Sequence, residues 1–587
     1  MRNLIIAGAV VAAGAVGYLV SQQGGETSVM QPADHPLAYV PADTVFFSGQ
    51  LEPYPVKDYL QSVTYTQTQV PDDFLEELDD DPNPKNRFIG SLVRSYFEAS
   101  RSAESFLNTF GLPEQMRMLV YAVGFIPVLR YEVADETRLW ALLDKAEQES
   151  GFTHQTRSIG ELNYRVYPFE NSDNGEKFEL LVAFHEGWAT WSFNTHLNDA
   201  QTEAVVLAQS KPKASLEQSG TLDEIAKNHG FIKTSLSYLD HQGVVTALTT
   251  EKGNALAQML TQVLEREGKT DDFAELRTPE CQTEMGAIAA NWPRTVLGFR
   301  DSKDIQISAE RSYMKMSMVV ESHNQTVLDA LNAVQGYLPD YLNGDQVFSM
   351  GFGIDANKLS SSMSSIWSNM LEPVYQCKPL MEMQEGLKAS NPAALAMFTG
   401  MAQGVKGIGM GVQSFALNLN GPEPQLDDLQ GVITLSADQP EVIFNMAKAF
   451  APPLAGIQVP NDGSAVDLAT VMPIPPELNI RPMLAVKGKH LVIYNGEKGA
   501  AIADQLADEE PISNGILGLS IDYKKLLAPL VPVLEQAAAD PAVTEQLEVL
   551  KHMDMRIKMA MDMNPQGIQL TSEADIKAAP KGETVSR

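Results

Sequence analysis

The chain resembles itself. Asp43-Thr44-Val45-Phe46-Phe47-Ser48-Gly49 returns 302 residues later as Asp345-Gln346-Val347-Phe348-Ser349-Met350-Gly351. Residues 128–146, VLRYEVADETRLWALLDKA, lie against 431–449, GVITLSADQPEVIFNMAKA, with Ala134-Asp135 falling on Ala437-Asp438. Leu181–Asn194 matches Met483–Asn495 with one gap, Gly230-Phe231-Ile232 matches Gly515-Ile516-Leu517, and Asp304–Glu310 matches Gly567–Glu573. Five matches in one order mark a tandem duplication, so the chain must build two similar cores rather than one large one. The copies are bounded at 39–335 and 336–578, with a tail at 579–587, and the second has lost length between its third and fifth blocks.

Each block is a β-rich run ending at a polar turn, often followed by a helix. Leu129, Tyr131 and Val133 alternate as a strand, Ala134 to Thr137 make a turn and cap, and Leu139, Leu142, Leu143 and Ala146 mark one helix face. The third block reads as a hairpin turning at His185-Glu186-Gly187 and at Lys487-Gly488-Lys489. Hairpin strands pair antiparallel, so the expected class is α+β, two antiparallel sheets covered by helices.

The N-terminus sets the compartment. Arg2 precedes an apolar run of 17 residues in which Leu4, Ile5, Ile6, Val10, Val11, Val16, Tyr18, Leu19 and Val20 carry the hydrophobicity. As a helix it spans roughly 26 Å, enough to cross a thin bilayer core. No Lys or Arg follows until Lys57, so the positive-inside rule leaves the amino end in the cytoplasm and exports the rest. Residues 1–20 are then an uncleaved inner-membrane anchor, or a signal segment that is removed to leave a periplasmic protein. Residues 21–38 read as a polar tether.

Charge excludes one class of partner. With 75 acidic against 43 basic side chains, a formal −32, most of the surface repels phosphate, so nucleic acid is not an expected ligand. The only two cysteines, Cys281 and Cys377, flank the repeat boundary, and in an exported chain they are candidates for one disulfide.

Two features could carry a ligand. Met314, Met316 and Met318 recur at a spacing of two, and Met555, Met559 and Met561 fall on alternate positions with Ile557 between them, which places each set on one face of a strand. Such a face is expected to be core, a pliable apolar ligand surface, or a thioether site for Cu(I). The glycine-rich run 400–411 lacks the GK[ST] ending of a phosphate loop and leads into a strand, which points to a closely approached strand instead. His185-Glu186 has no second histidine one turn on, and residues 71–84 lack the spacing of a calcium loop. With no GxSxG, SxxK or CxxC, catalysis would need a dispersed site, and no cofactor is expected.

The segment Tyr39-Val40-Pro41-Ala42-Asp43-Thr44-Val45 after an apolar N-terminus resembles the opening of a group of uncharacterised bacterial exported proteins classed as domains of unknown function. The resemblance implies an envelope location and brings no catalytic residues. The expected function is therefore a non-catalytic, membrane-anchored periplasmic protein that binds a lipid, a hydrophobic ligand or an envelope protein. Copper handling and a dispersed enzyme site are the alternatives.

Overall fold

The computed structural model describes residues 35–63, 81–170, 177–194, 199–389, 400, 402–419, 424–449, 454–460, 462–471, 473–475, 479–537 and 550–578. The chain forms two compact units. The first runs to Glu321 and takes in Gln376–Pro379 and the segment from Ile576; the second comprises Ser322–Tyr375 and Leu380–Asp575. The division follows Glu321, whereas the sequence reading places it after residue 335. Both units mix helices with antiparallel strands, an α+β fold.

In the first unit the strands are β1 (Phe46–Tyr54), β2 (Met116–Val123), β3 (Ile126–Glu132), β4 (Gln155–Ile159), β5 (Leu162–Glu170), β6 (Lys177–His185), β7 (Trp188–Asn194), β8 (Ser235–Asp240), β9 (Arg294–Gly298), β10 (Ile305–Ser308) and β11 (Arg311–Glu321). They pair antiparallel in the order β4-β5-β6-β7-β3-β2-β1-β8-β9-β11-β10. Successive residues of a strand face opposite sides, and here both sides are covered. Phe47, Leu119, Tyr121, Leu236 and Val296 pack with Leu216, Ile225 and Phe231 on one side. On the other, Met118, Val120, Leu129 and Tyr131 lie beneath the helices Pro84–Ala99 and Glu136–Ser150, which contribute Phe88, Ile89, Leu92, Leu139, Leu142 and Leu143.

Local sequence places those helices. Asn83 accepts from the Lys85 N–H at 3.0 Å and Pro84 follows at the first helical position. Asp135 accepts from the Thr137 N–H at 3.1 Å, and Gly151, in the left-handed region at φ 74°, ends the second helix. Part of the segment read as tether is built in: Pro36–Tyr39 is a 3₁₀ helix with Leu37 and Ala38 buried.

The second unit contains β12 (Phe348–Gly353), β13 (Val405–Asn418), β14 (Gln425–Ala437), β15 (Val466–Asp467), β16 (Met483–Lys487), β17 (His490–Asn495), β18 (Leu517–Asp522), β19 (Asp554–Asn564) and β20 (Gly567–Lys577). Their order is β15-β16-β17-β14-β13-β12-β18-β19-β20. One face is made of small and polar residues and is covered closely. Ser349, Gly351, Gly407, Gly409, Thr434 and Ser436 are buried there. Tyr341 and Leu342 from the 3₁₀ helix Asp340–Asn343 pack with Val432, Val492, Ala503 and Leu506. A Cβ on Gly407 would stand 2.1 Å from the Tyr337 carbonyl oxygen, and one on Gly409 2.6 Å from the Tyr341 hydroxyl. The glycine-rich run is thus a strand approached by backbone rather than an anion loop.

Candidate functional site

The opposite face of the second sheet is apolar and open. Strand register carries one row of side chains across five strands, Met561, Leu517, Phe352, Ile408 and Leu435, each directly opposite the next. The neighbouring row is Met559, Leu519, Met350, Met410 and Ile433. Directly opposed residues on adjacent strands hold their Cβ atoms about 4.5–5.5 Å apart on the same face, so the rows form a continuous hydrocarbon and thioether surface. Phe352, Ile408 and Ile433 are 45%, 50% and 49% exposed, and the other seven are half-buried. Isolated exposed apolar side chains are ordinary; three exposed within ten apolar residues in register on one face are not. At one end the face is covered: Leu491 and Ile493 of β17 pack with Phe444, Ile457 and Leu468.

The sequence-predicted methionines divide. Met559 and Met561 lie in this surface, and Met555 lies two residues beyond Ile557 on the same side of β19. The buried methionine face expected for β19 is not found: from Asp554 to Asn564 every side chain is half-buried except Ala560, which is exposed. In β11, Met314 is buried opposite Ile305, while Met316 and Met318 are half-buried. The buried positions shift phase there, from Ser312 and Met314 to Ser317, Val319 and Glu321, so the three methionines do not share one environment. Met350 and Met410, which pair directly across β12 and β13, escaped the spacing search because strand pairing brings them together.

Cys281 and Cys377 are bonded, with S–S 2.06 Å and Cα–Cα 4.6 Å. The bond lies within the first unit, since Gln376–Pro379 belong to it. Glu284 also holds this segment, accepting from the backbone N–H groups of Gln376 at 2.8 Å and Cys377 at 2.8 Å. The anchor residues Leu4, Ile5, Ile6, Val10, Val11, Val16, Tyr18, Leu19 and Val20 lie outside the described residues, among which no helix is long and apolar enough to cross a membrane.

Two buried histidines elsewhere are tied into the scaffold. Ser436 Oγ and His490 Nδ1 are 2.8 Å apart, with His490 Nε2 3.0 Å from the Glu509 carbonyl oxygen, and both side chains are fully buried. Burial holds the His490 imidazole below its ordinary pKa, outweighing the Glu509 carbonyl and the nearby Glu509 and Glu510 charges. In the first unit Glu321 is 2.7 Å from His229 Nε2 and accepts from Arg294 Nε at 2.8 Å. Burial alone would raise the Glu321 pKa, but those two partners outweigh it and hold the carboxyl below its usual range.

A cavity of about 650 Å³ in the second unit is lined by Asn332, Gln335, Asp355, Asn514, Asp562 and Asn564 among others. Its amides bond within the protein: Gln335 donates to Asn332 at 2.7 Å and Asn564 to Gln569 at 2.8 Å. Asp355 pairs with Lys406 at 2.8 Å. Among the described residues no group of three or more His, Cys, Asp or Glu side chains is placed to hold a metal ion. Comparison with protein-family models, with curated proteins and with solved structures finds no match to this chain.

Proposed function

We propose that this is a non-catalytic, membrane-tethered periplasmic protein that receives an apolar ligand or partner on the open face of its second sheet. The carrying observation is the pair of rows around Phe352, Ile408 and Ile433, where side chains of strand-core type meet solvent. Leaving such a surface uncovered forgoes stabilisation of about 25 cal/mol per Å², and an apolar occupant recovers it. The apolar segment from Leu4 to Val20 and its flanking charge support the inner-membrane location.

The reading includes a tandem duplication. Supporting it, β5-β6-β7-β3-β2-β1-β8-β9-β11 and β15-β16-β17-β14-β13-β12-β18-β19-β20 are one antiparallel order, and a 3₁₀ helix precedes both β1 and β12. The first three sequence matches fall on corresponding strands, the second one residue out of register, since Leu129 stands where Ile433 does, not where Val432 does. The fifth does not, because Asp304–Glu310 includes β10, whereas β11 stands where β20 does.

The test is equilibrium binding of a fluorescent acyl probe, cis-parinaric acid, to the full chain in nanodiscs, with fractionation of the native host. Saturable binding that the Ile408→Asp/Ile433→Asp variant loses supports the reading. Probe binding indifferent to both positions sinks it, and recovery of the chain in the cytoplasm sinks the location. The competing copper reading draws on Met350, Met410, Met559 and Met561, which share the face. A Cu(I) titration that stays stoichiometric after all four are changed to Leu removes it.

A further inference from the structure

The two units treat the same sheet positions differently. In the first, Ser48 of β1 faces Val120 of β2, which faces Leu129 of β3; in the second, Met350 of β12 faces Met410 of β13, which faces Ile433 of β14. One step along, Gln50, Met118 and Tyr131 correspond to Phe352, Ile408 and Leu435. Met118 and Leu129 are each 8% exposed, against 50% for Ile408 and 49% for Ile433. In the first unit a helix covers these positions, whereas the second unit's helices between β12 and β13, Ala356–Leu371 and Lys378–Ala389, leave Ile408 and Ile433 half exposed. Phe88, Ile89 and Leu92 of Pro84–Ala99 pack over Met118, Val120 and Leu129, while the partner helix Glu136–Ser150 has a shorter relative, Pro440–Ala447, at the covered end of the second sheet.

We infer that the open face of the second sheet is a docking site for an amphipathic, basic α-helix of a partner protein, laid across Ile408, Met410 and Ile433 as Pro84–Ala99 lies across Met118, Val120 and Leu129. This rests on the duplication and on the apolar-face reading, and it names the occupant. Three further observations select a helix of that charge. The surface is a wide, two-row sheet face rather than an enclosed tunnel, and it presents the kind of apolar platform that i, i+3, i+4 anchors cover. The second unit carries 29 Asp and Glu against 13 Lys and Arg, so its field attracts a basic helix and repels anionic headgroups. Pro84–Ala99, which fills the corresponding position, is itself basic, with Lys85, Arg87 and Arg94 against Glu98.

The probe is the peptide of sequence Pro84–Ala99, labelled and titrated into the full chain in nanodiscs, followed by fluorescence anisotropy and by the gain of helical circular dichroism. The expected result is saturable binding that weakens with salt and falls at least about tenfold in Ile408→Asp/Ile433→Asp, with Ile512→Asp, an exposed apolar residue outside the two rows, as the unaffected control. A scrambled peptide of the same composition should not bind. Far-ultraviolet dichroism and thermal transitions of the variants confirm folding, which half-exposed positions leave intact. The inference is overturned if the peptide binds the double variant as tightly as the parent, or does not bind at all. If cis-parinaric acid then binds in an Ile408- and Ile433-dependent way, the occupant is an acyl chain and the broader proposal stands. If sedimentation shows a dimer that the double variant dissociates, the occupant is a second copy. If neither probe responds to these positions, both readings fall.

Discussion

His490 shows how far one residue is set by its surroundings. In the sequence it is one of nine scattered histidines, but the fold closes it between Ser436, the Glu509 carbonyl and the ring of Tyr337. Because burial favours the neutral imidazole, the native state resists a proton that the unfolded chain takes up as pH falls through about 6.5. Its contribution to stability is therefore complete above that pH and is lost on acidification below it. Urea unfolding of the second unit should show a midpoint that drops between pH 7.5 and pH 5, and His490→Gln should flatten that part of the profile. No spacing rule could have found this, since the partners lie 54 and 19 residues away in the chain.

Elements were more legible than their neighbours. The helix Glu136–Ser150 was visible from its apolar spacing and Asp135 cap, and the hairpins turning at Gly187 and Gly488 from their turn residues. The glycine-rich strand β13 was readable as a place of close approach, but what approaches came only with the fold. Gly407→Ala should set a methyl group against the Tyr337 carbonyl and destabilise the second unit by about 1–3 kcal/mol, measured as a lower denaturation midpoint. The disulfide acts at the same scale. Its cysteines are 96 residues apart, and replacing both by Ser should cost about 4–5 kcal/mol in the chain-entropy account, read as a lower thermal midpoint of the first unit. The methionine strands were legible only in part: period-two spacing specifies a shared face, yet whether that face is covered depends on elements distant in sequence.

At the scale of the molecule, the cover over each sheet face sets how a buried charge is tolerated. Leu129→Asp places a carboxylate beneath helices Pro84–Ala99 and Glu136–Ser150 and should destabilise the first unit by more than about 4 kcal/mol. Ile433→Asp, on the open face of the second sheet, should change stability by less than about 1 kcal/mol, because half of that side chain already meets water. Chemical denaturation of each variant checks the contrast. By itself the sequence determined what depends on nearest neighbours and on period: the α+β class, the helix caps, the hairpin turns, the acidic charge and the two cysteines available for pairing. Tertiary structure alone decided which sheet face is sealed and which is open. Alternation specifies two faces for every strand but carries no term for what packs against them. That choice is made by helices whose positions are set through long-range burial, and it turns one set of apolar residues into core and another into a candidate binding surface.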